Sequence, residues 1–223
     1  MRSLSSRKFY VLSAIIFMLM ISTGCVPHQI MGDADVDVYQ KLHKKYSNMA
    51  SYTATVQFTV KSNKTDNTYL VHQKVKKPDL ALFSIAEPEE LAGLVTVYNG
   101  HQVILHSGDE EPLSLTASHV MDDTFLHNFF SLYYQSEETV VSTQGGERDG
   151  SAILLKTMAV PTDAERHAIS LLLDAKTLEP KMLTVYDVGG NIRMIAEFLE
   201  FCYNPPIEDE VFTREIQIET RKG

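Results

Sequence analysis

The segment Tyr52-Thr53-Ala54-Thr55-Val56-Gln57-Phe58-Thr59-Val60 places an apolar side chain at every second position and a polar side chain between. A period of two is the period of a β-strand, in which successive side chains point to opposite faces. One face of this strand is therefore predicted to be buried and the other to be wet. Residues 61–67 are polar and predict a turn into a second, more polar strand at 68–76.

Further short strands are predicted along the chain, each bounded by turn signals. Asn99-Gly100 between two apolar runs is a strong hairpin signal. Residues 88–93 begin with Pro and end with Gly, which predicts a single helical turn. The other predicted strands are 80–86, 94–98, 102–106, 139–143, 151–160, 168–174, 181–187 and 192–203, with a short addition at 212–218.

Two helices are predicted among these strands. In the first, Tyr39, Leu42, Tyr46 and Met49 form one apolar stripe, and acidic residues precede basic ones, as the helix dipole favours. The second begins at the cap Asp122-Asp123-Thr124 and runs to about residue 134. Its apolar positions nearly encircle it, so heavy burial is expected.

These elements predict an α+β fold. About ten mostly antiparallel strands at even spacing are typical of one curled antiparallel sheet or an open barrel. The chain shows neither a linker nor a repeat at solenoid periods. Residues 33–223 are therefore predicted to form a single domain.

The N-terminus has the layout of a lipoprotein signal peptide. Basic residues at positions 2, 7 and 8 precede an apolar run at 9–21, which is short of the roughly 20 residues that span a bilayer. Small residues then lead to Gly24-Cys25, which resembles a lipobox, although position 22 is Ser where an aliphatic residue is usual. We expect residues 1–24 to be a signal peptide cleaved between Gly24 and Cys25, with lipid on the Cys25 thiol. The alternative is an uncleaved signal anchor.

Composition narrows the class of partner. Residues 25–32, with Pro27 and Gly32, are predicted to be a flexible tether. The formal net charge of the whole chain is −9, and the leader carries three basic residues and no acidic one, so the remainder is more acidic still. Nucleic acid is therefore not expected as a partner.

Cys202 is predicted to be a buried strand cysteine, with intermolecular pairing as the less favoured alternative.

A search for catalytic and metal-binding residues finds no recognisable constellation. The histidines, among them His101, His106, His119 and His127, lack the spacing of zinc hydrolases, so no metal or cofactor is predicted. No Gly-x-Ser-x-Gly elbow occurs. The adjacent carboxylates at 89–90, 110–111 and 137–138 are interpreted as solvated charges. The aromatic pairs Phe129-Phe130 and Tyr133-Tyr134 are interpreted as core. No catalytic residue is assigned, and the protein is not expected to be an enzyme.

The order of several segments resembles a known superfamily. The alternating strand is followed by Lys77-Pro78, Glu87-Pro88-Glu89-Glu90-Leu91-Ala92-Gly93 and Val97-Tyr98-Asn99-Gly100, and later by residues 173–180 and Val185-Tyr186-Asp187. This order, over about residues 36 to 212, resembles the LolA/LolB-like lipoprotein-carrier superfamily. With the lipobox, it is most similar to the GerS-type germination lipoproteins of spore-forming clostridia. The resemblance implies an open antiparallel half-barrel wrapped around one or two helices.

The same resemblance implies a function. GerS-type lipoproteins support spore germination by binding an N-acetylmuramoyl-L-alanine amidase that helps make the muramic-δ-lactam of cortex peptidoglycan. They act as non-catalytic partners, and the zinc belongs to the amidase. The expected location is the extracytoplasmic face of the cell membrane, or the intermembrane space of the forespore if the protein is sporulation-specific. No partner-binding residue and no oligomeric state is predicted.

Two other functions remain open at this stage. The first is a carrier or acceptor of acyl chains or lipoproteins that uses an apolar cavity inside the half-barrel. A lipidated Cys25 would prevent shuttling, and an all-round apolar second helix indicates a filled interior, so the adaptor is favoured. An open apolar tunnel of several hundred Å³ would favour the carrier. The second is an envelope sensor of the same fold.

Overall fold

The computed structural model describes residues 33–62, 64–108, 110–116, 126–136, 139–146, 150–159 and 164–212. The two helices are α1 (Asp33–Ser47) and α2 (Leu126–Gln135). The strands are β1 (Ser51–Lys61), β2 (Asp66–Lys76), β3 (Leu80–Glu87), β4 (Val95–Asn99), β5 (Gln102–His106), β6 (Leu113–Thr116), β7 (Val140–Gly146), β8 (Gly150–Met158), β9 (Ala168–Asp174), β10 (Pro180–Tyr186) and β11 (Ile192–Tyr203). Short 3₁₀ turns lie at Glu89–Leu91 and Asp209–Phe212.

All eleven strands belong to one antiparallel sheet in the order β6-β5-β4-β3-β2-β1-β11-β10-β9-β8-β7. The strands at the two ends of this order do not pair with each other, so the sheet is not closed. The predicted antiparallel sheet with two helices is confirmed. The finer prediction, a half-barrel wrapped around the helices, stays a prediction.

Strand β1 lies at the centre of this order and decides which face of the sheet is buried. It pairs with β2 on one side and with β11 on the other. Tyr52, Ala54 and Val56 are buried, as their alternation predicted, and their neighbours across the strands are mostly apolar as well. We call the face that carries these side chains the core face, and the opposite one the outer face.

One hydrophobic cluster joins both helices to the core face. From α1 and the residues just after it, Leu42, Tyr46 and Met49 are buried, which confirms the predicted stripe. From α2, the buried side chains are Leu126, Phe129, Phe130 and Tyr133, which confirms their interpretation as core. The rings of Tyr46 and Phe130 stack with centroids 3.7 Å apart. The predicted cap of α2 at 122–124 lies outside the described residues.

Side chains from distant strands hold the C-terminal end of α1. The hydroxyl of Tyr203 donates to the carbonyl of Lys45 (2.7 Å), and the ammonium of Lys77 donates to the carbonyl of Tyr46 (3.1 Å). The last carbonyls of a helix lack partners within it, and Tyr203 supplies a donor for that of Lys45, while the carbonyl of Tyr46 also accepts from the backbone N–H of Met49 (3.3 Å). In the other direction, the hydroxyl of Tyr46 donates to the carbonyl of Leu178 (2.6 Å). Burial raises the pKa of Tyr46 well above its ordinary value, so this hydroxyl keeps its proton.

The outer face has an apolar cluster of its own at β3 to β5. Phe212, from the second 3₁₀ turn, is buried together with Val95 and Val97. Lys76 anchors this segment by donating to the carbonyl of Ile207 (2.8 Å) and to the carboxylate of Asp209.

The prediction of a strand beginning at residue 212 is wrong for Phe212 itself, which ends the 3₁₀ turn, and residues 213–218 lie outside the described part. Strand β6 was not predicted, because its four residues are too few to show a period.

A paired substitution tests the location of the core. Leu42→Ala removes a side chain that is 0% exposed in the joint cluster, so we expect the free energy of unfolding to fall by about 2–5 kcal/mol. Leu199→Ala is the matched control, because Leu199 is 52% exposed, and its effect should stay within about 0.5 kcal/mol. Urea unfolding of both variants measures the difference. Equal losses would contradict the assignment of the core face.

The turn between β9 and β10 predicts a dependence of stability on pH. The backbone N–H groups of Thr177 and Lys176, with the ammonium of Lys181, stabilise the ionised carboxylate of Asp174 and lower its pKa from 3.8 to about 2. The folded-state pKa lies below the unfolded one, so this contribution is fully present above the unfolded pKa and is lost as pH falls through about 2. Acid titration of the folded chain by NMR should show this pKa, and Asp174→Asn should reduce the loss of stability between pH 4 and pH 2. An unshifted Asp174 would contradict the turn geometry.

Candidate functional site

An apolar pocket lies on the core face of the first four strands. Its volume is about 220 Å³. Phe58 and Val60 of β1 line it together with Tyr69, Val71, Gln73, Phe83, Ile85 and Thr96 of β2, β3 and β4. None of these residues belongs to either helix. Among the described residues, the strands therefore build this pocket, on the same face to which the helices contribute their core side chains.

The pairing register brings the lining residues together. Phe58 lies opposite Tyr69, Val71 opposite Ile85, and Phe83 opposite Thr96. Cross-strand partners share a face of the sheet, so side chains far apart in sequence meet at one place. Val71 and Phe83 are each 8% exposed, whereas Val60 is 38% exposed, so the pocket has a buried end and an accessible end.

Gln73 is the buried polar residue of the pocket. It is 2% exposed, and its carboxamide oxygen accepts no hydrogen bond from the described residues. An unpaired buried acceptor costs about 1–3 kcal/mol. The oxygen itself has almost no accessible surface, so a molecule in the pocket does not reach it without a rotation of the carboxamide.

Sequence reasoning missed this residue, because β2 was interpreted only as a more polar strand. The signal was nevertheless present. Tyr69, Val71, Gln73 and Val75 occupy alternate positions, so Gln73 interrupts an apolar row. A polar residue in the row that faces the core is the pattern that would have identified it.

A second depression, of about 400 Å³, lies on the outer face across β2, β1 and β11. Its polar side chains form two cross-strand rows, one with His72, Thr55 and Glu200, and one with Lys74, Thr53 and Cys202. The hydroxyl of Thr55 donates to the carboxylate of Glu200 (2.9 Å) and lies 3.2 Å from Nδ1 of His72. In a hydrolase triad the imidazole stands between hydroxyl and carboxylate and takes the hydroxyl proton. Here the hydroxyl lies in the middle and donates its hydrogen bond to Glu200, so the order of a triad is not reproduced.

Cys202 lies in this depression and corrects a prediction. The sequence predicted a buried cysteine, but the thiol is free and exposed. The reason is which side chains of β11 point to the outer face of the sheet. Cys202 pairs with Thr53 on the outer face, while Phe201 and Tyr203 on either side pack against the main core cluster.

The remaining residues singled out from the sequence are dispersed. Gly24, Cys25 and His119 lie outside the described residues. His101 follows the Asn99-Gly100 turn, and His106 ends β5. The glutamates at 89–90 and 110–111 are exposed, as their interpretation as solvated charges required. Within the described ranges, no three His, Cys, Asp or Glu side chains are placed to share a metal ion. Neither described helix is long and apolar enough to cross a membrane.

Comparison with known protein families gives one match. The model of the family described as "Sporulation protein YdcC-like" matches residues 6–212. The curated proteins contain no significant match.

Among solved structures, an uncharacterized conserved protein from Thermus thermophilus has a TM-score of 0.53 at 13% identity, over 83% of this chain and 96% of that one. A structure of the CwlD amidase of Clostridioides difficile in complex with the GerS lipoprotein matches with 22% identity and a TM-score of 0.48, over 78% of this chain and 99% of that one. The LolA superfamily protein NE2245 from Nitrosomonas europaea matches with 12% identity and a TM-score of 0.45, over 80% and 97%. The resemblance stated from the sequence is confirmed at the level of a sporulation family, and these structures include both groups that it named.

The unpaired oxygen of Gln73 yields a test of stability. Gln73→Leu replaces the carboxamide by an apolar group of similar volume, so we expect the free energy of unfolding to rise by about 1 kcal/mol. Gln102→Leu is the control, because Gln102 is exposed and its replacement should change stability by no more than about 0.5 kcal/mol. Urea unfolding compares the two. A clear loss of stability in Gln73→Leu would show that the oxygen has a partner.

Proposed function

We propose that this chain, which belongs to the family described as "Sporulation protein YdcC-like", is a membrane-anchored, non-catalytic lipoprotein needed for spore germination. It binds and activates a cortex-modifying N-acetylmuramoyl-L-alanine amidase that acts in muramic-δ-lactam formation. The observation that carries the proposal is the family match, because it spans residues 6–212 and names sporulation as the process. The segments at 87–93 and 97–100 add the likeness to germination lipoproteins.

The membrane anchor follows from the N-terminal sequence. A diacylglyceryl group on Cys25, with a further acyl chain, holds a protein firmly, because each buried CH₂ contributes about 0.8 kcal/mol. Residues 25–32 are a tether, and a chain of this length spans at most about 28 Å when fully extended. The domain that begins at residue 33 therefore stays close to the extracytoplasmic face of the membrane, where it meets wall enzymes.

The non-catalytic role is supported by the chemistry of the outer depression. The Thr55 hydroxyl donates its hydrogen bond to Glu200 and lies between Glu200 and His72, so the row does not have the order of a hydroxyl–imidazole–carboxylate triad. The exposed adjacent glutamates stand on turns rather than across a cleft. By the resemblance to GerS-type lipoproteins, the zinc and the hydrolytic chemistry are those of the amidase.

The pocket supports a second candidate, an acyl-chain or lipoprotein carrier. Its lining is almost wholly apolar, which suits a hydrocarbon chain. Its volume of about 220 Å³ is nevertheless below the roughly 300–1,000 Å³ usual for small-molecule sites, and well short of a tunnel for a long acyl chain. The adaptor therefore remains the preferred function.

Labelling with palmitate tests the anchor. Wild-type protein produced in a bacterial host should incorporate the label and sediment with membranes, because the thiol of Cys25 is the acceptor. Cys25→Ala should lose both properties, and Cys202→Ala, the matched control at the other cysteine, should keep both. Equal labelling of wild type and Cys25→Ala would contradict the anchor.

Copurification and cortex analysis test the adaptor. The chain purified from sporulating cells should copurify with the cortex amidase. Cells that lack the chain should form cortex without muramic-δ-lactam and germinate poorly. Copurification of lipid or acylated protein in place of the amidase would support the carrier. Normal lactam content in its absence would rule the adaptor out.

A further inference from the structure

We propose that the partner protein binds the free edge of strand β6 by adding an extended segment to it as a further strand. That segment carries apolar side chains at every second position, and Lys or Arg at the end that lies beside Glu110 and Glu111. The inference rests on the proposed adaptor function and assigns the contact surface that the sequence left open. Three observations support it: the unpaired edge, the two exposed leucines on it, and the charge at that end of the sheet.

Strand β6 is the last strand at one end of the sheet order. Within the described part of the chain it pairs on one side only, with β5. The backbone N–H and C=O groups along its other side therefore have no partner strand. Such an edge binds another extended chain through main-chain hydrogen bonds, which is how many domains recognise peptides. The edge thus selects an extended segment of the partner rather than a helix.

Two leucines make this edge apolar. Leu113 is 54% exposed and Leu115 is 51% exposed. A cross-strand row that starts at the buried Phe83 of β3 ends at Leu113, so Leu113 lies on the core face, and Leu115, two residues later, does too. Natural edge strands are often protected by Lys or other charged side chains, and β6 has none. An added strand with apolar side chains at alternate positions pairs with both leucines on that face.

Acidic residues surround the end of the sheet at which β6 begins. Strands β3 and β5 end there and β4 and β6 begin there, because each pairs with its neighbour in antiparallel orientation. Exposed glutamates therefore gather at this end, from the end of β3 and from the residues before β6: Glu87, Glu89, Glu90, Glu110 and Glu111. Among the described residues, none forms a salt bridge with these carboxylates.

Basic residues are absent from this part of the sequence. Residues 78–147 contain no Lys or Arg. Lys61 and Lys64 belong to the β1–β2 hairpin, where Lys61 pairs with Asp66. Strands β3, β4 and β5 separate β2 from β6, which is roughly 19 Å along the sheet, beyond the Debye length of about 8 Å at physiological salt. A partner with Lys or Arg beside its added strand complements these glutamates, whereas a second copy of this chain brings the same negative charge.

The experiment measures binding of the detergent-solubilised full chain to the purified cortex amidase of the same bacterium. The edge variant, Leu113→Thr with Leu115→Thr, removes the apolar contact and keeps residues that favour strands. Its control, Val140→Thr with Val188→Thr, changes two side chains that are 44% and 66% exposed elsewhere. Circular dichroism and thermal unfolding establish that each variant is folded. We expect the edge variant to weaken binding about tenfold and the control to leave it unchanged.

A second pair of variants tests the charge. Glu110→Gln with Glu111→Gln should slow association about two- to fivefold and reduce its dependence on salt, because complementary charges steer the encounter. Glu197→Gln with Glu208→Gln changes the net charge equally at two other exposed glutamates, and its association rate should equal that of the wild type. A charge variant that behaves like this control overturns the basic character of the partner segment.

Hydrogen exchange locates the contact directly. When the amidase binds, backbone amides within residues 113–116 should exchange about tenfold more slowly or less, because an added strand accepts hydrogen bonds from the free edge. Residues 140–146 form β7, at the opposite end of the sheet order, and their exchange should not change. Protection of β7 in place of β6 overturns the inference.

Failure of the inference is distinguishable from failure of the adaptor function. If the amidase binds the wild type and the edge variant equally and leaves residues 113–116 unprotected, the edge is not the contact and the adaptor function stands. If the wild type binds no amidase, the adaptor function fails and the proposed contact fails with it. Equal weakening in the edge variant and in its control also overturns the inference, because the loss is then not specific to β6.

Discussion

The structure depends on the pairing of β1 with a neighbour on each side. Its alternation commits one row of side chains to the core face, and β2 and β11 must then present their own apolar rows in register with it. A slip of one residue in either pair would turn an apolar row toward water. Because β1 is central, this constraint passes outward to the rest of the sheet and sets which face the helices cover and which carries the polar rows around Thr55 and Thr53.

The position of α1 is fixed mainly by contacts that are remote in sequence. Tyr203 and Lys77 satisfy carbonyls at its C-terminal end, while its own Tyr46 reaches the carbonyl of Leu178 in the turn after β9. Leu178 has a positive φ of 57°, a left-handed conformation that is uncommon for a residue other than Gly. The stacked rings of Tyr46 and Phe130 then join α1 to α2. Helix α1 is thereby fastened to both halves of the sheet.

The core face is thus used in two ways. Part of it is filled by aromatic side chains from the helices, and the part at β1 to β4 keeps an apolar pocket. A filled interior limits what the fold can carry, because a long acyl chain needs continuous space. The pocket at β1 to β4, of about 220 Å³, does not provide that space.

The sequence by itself determined the local features, because these depend on neighbours a few residues apart. The alternation of β1, the apolar stripe of Leu42 and Tyr46, the Asn99-Gly100 hairpin and the family resemblance all follow from short-range patterns. Tertiary structure alone decided the exposure of Cys202, since the parity of β11 is set by pairing with β1. It also decided the existence of β6, which is too short to show a period. Both depend on pairing and register between strands that are distant in sequence, and no local pattern encodes these.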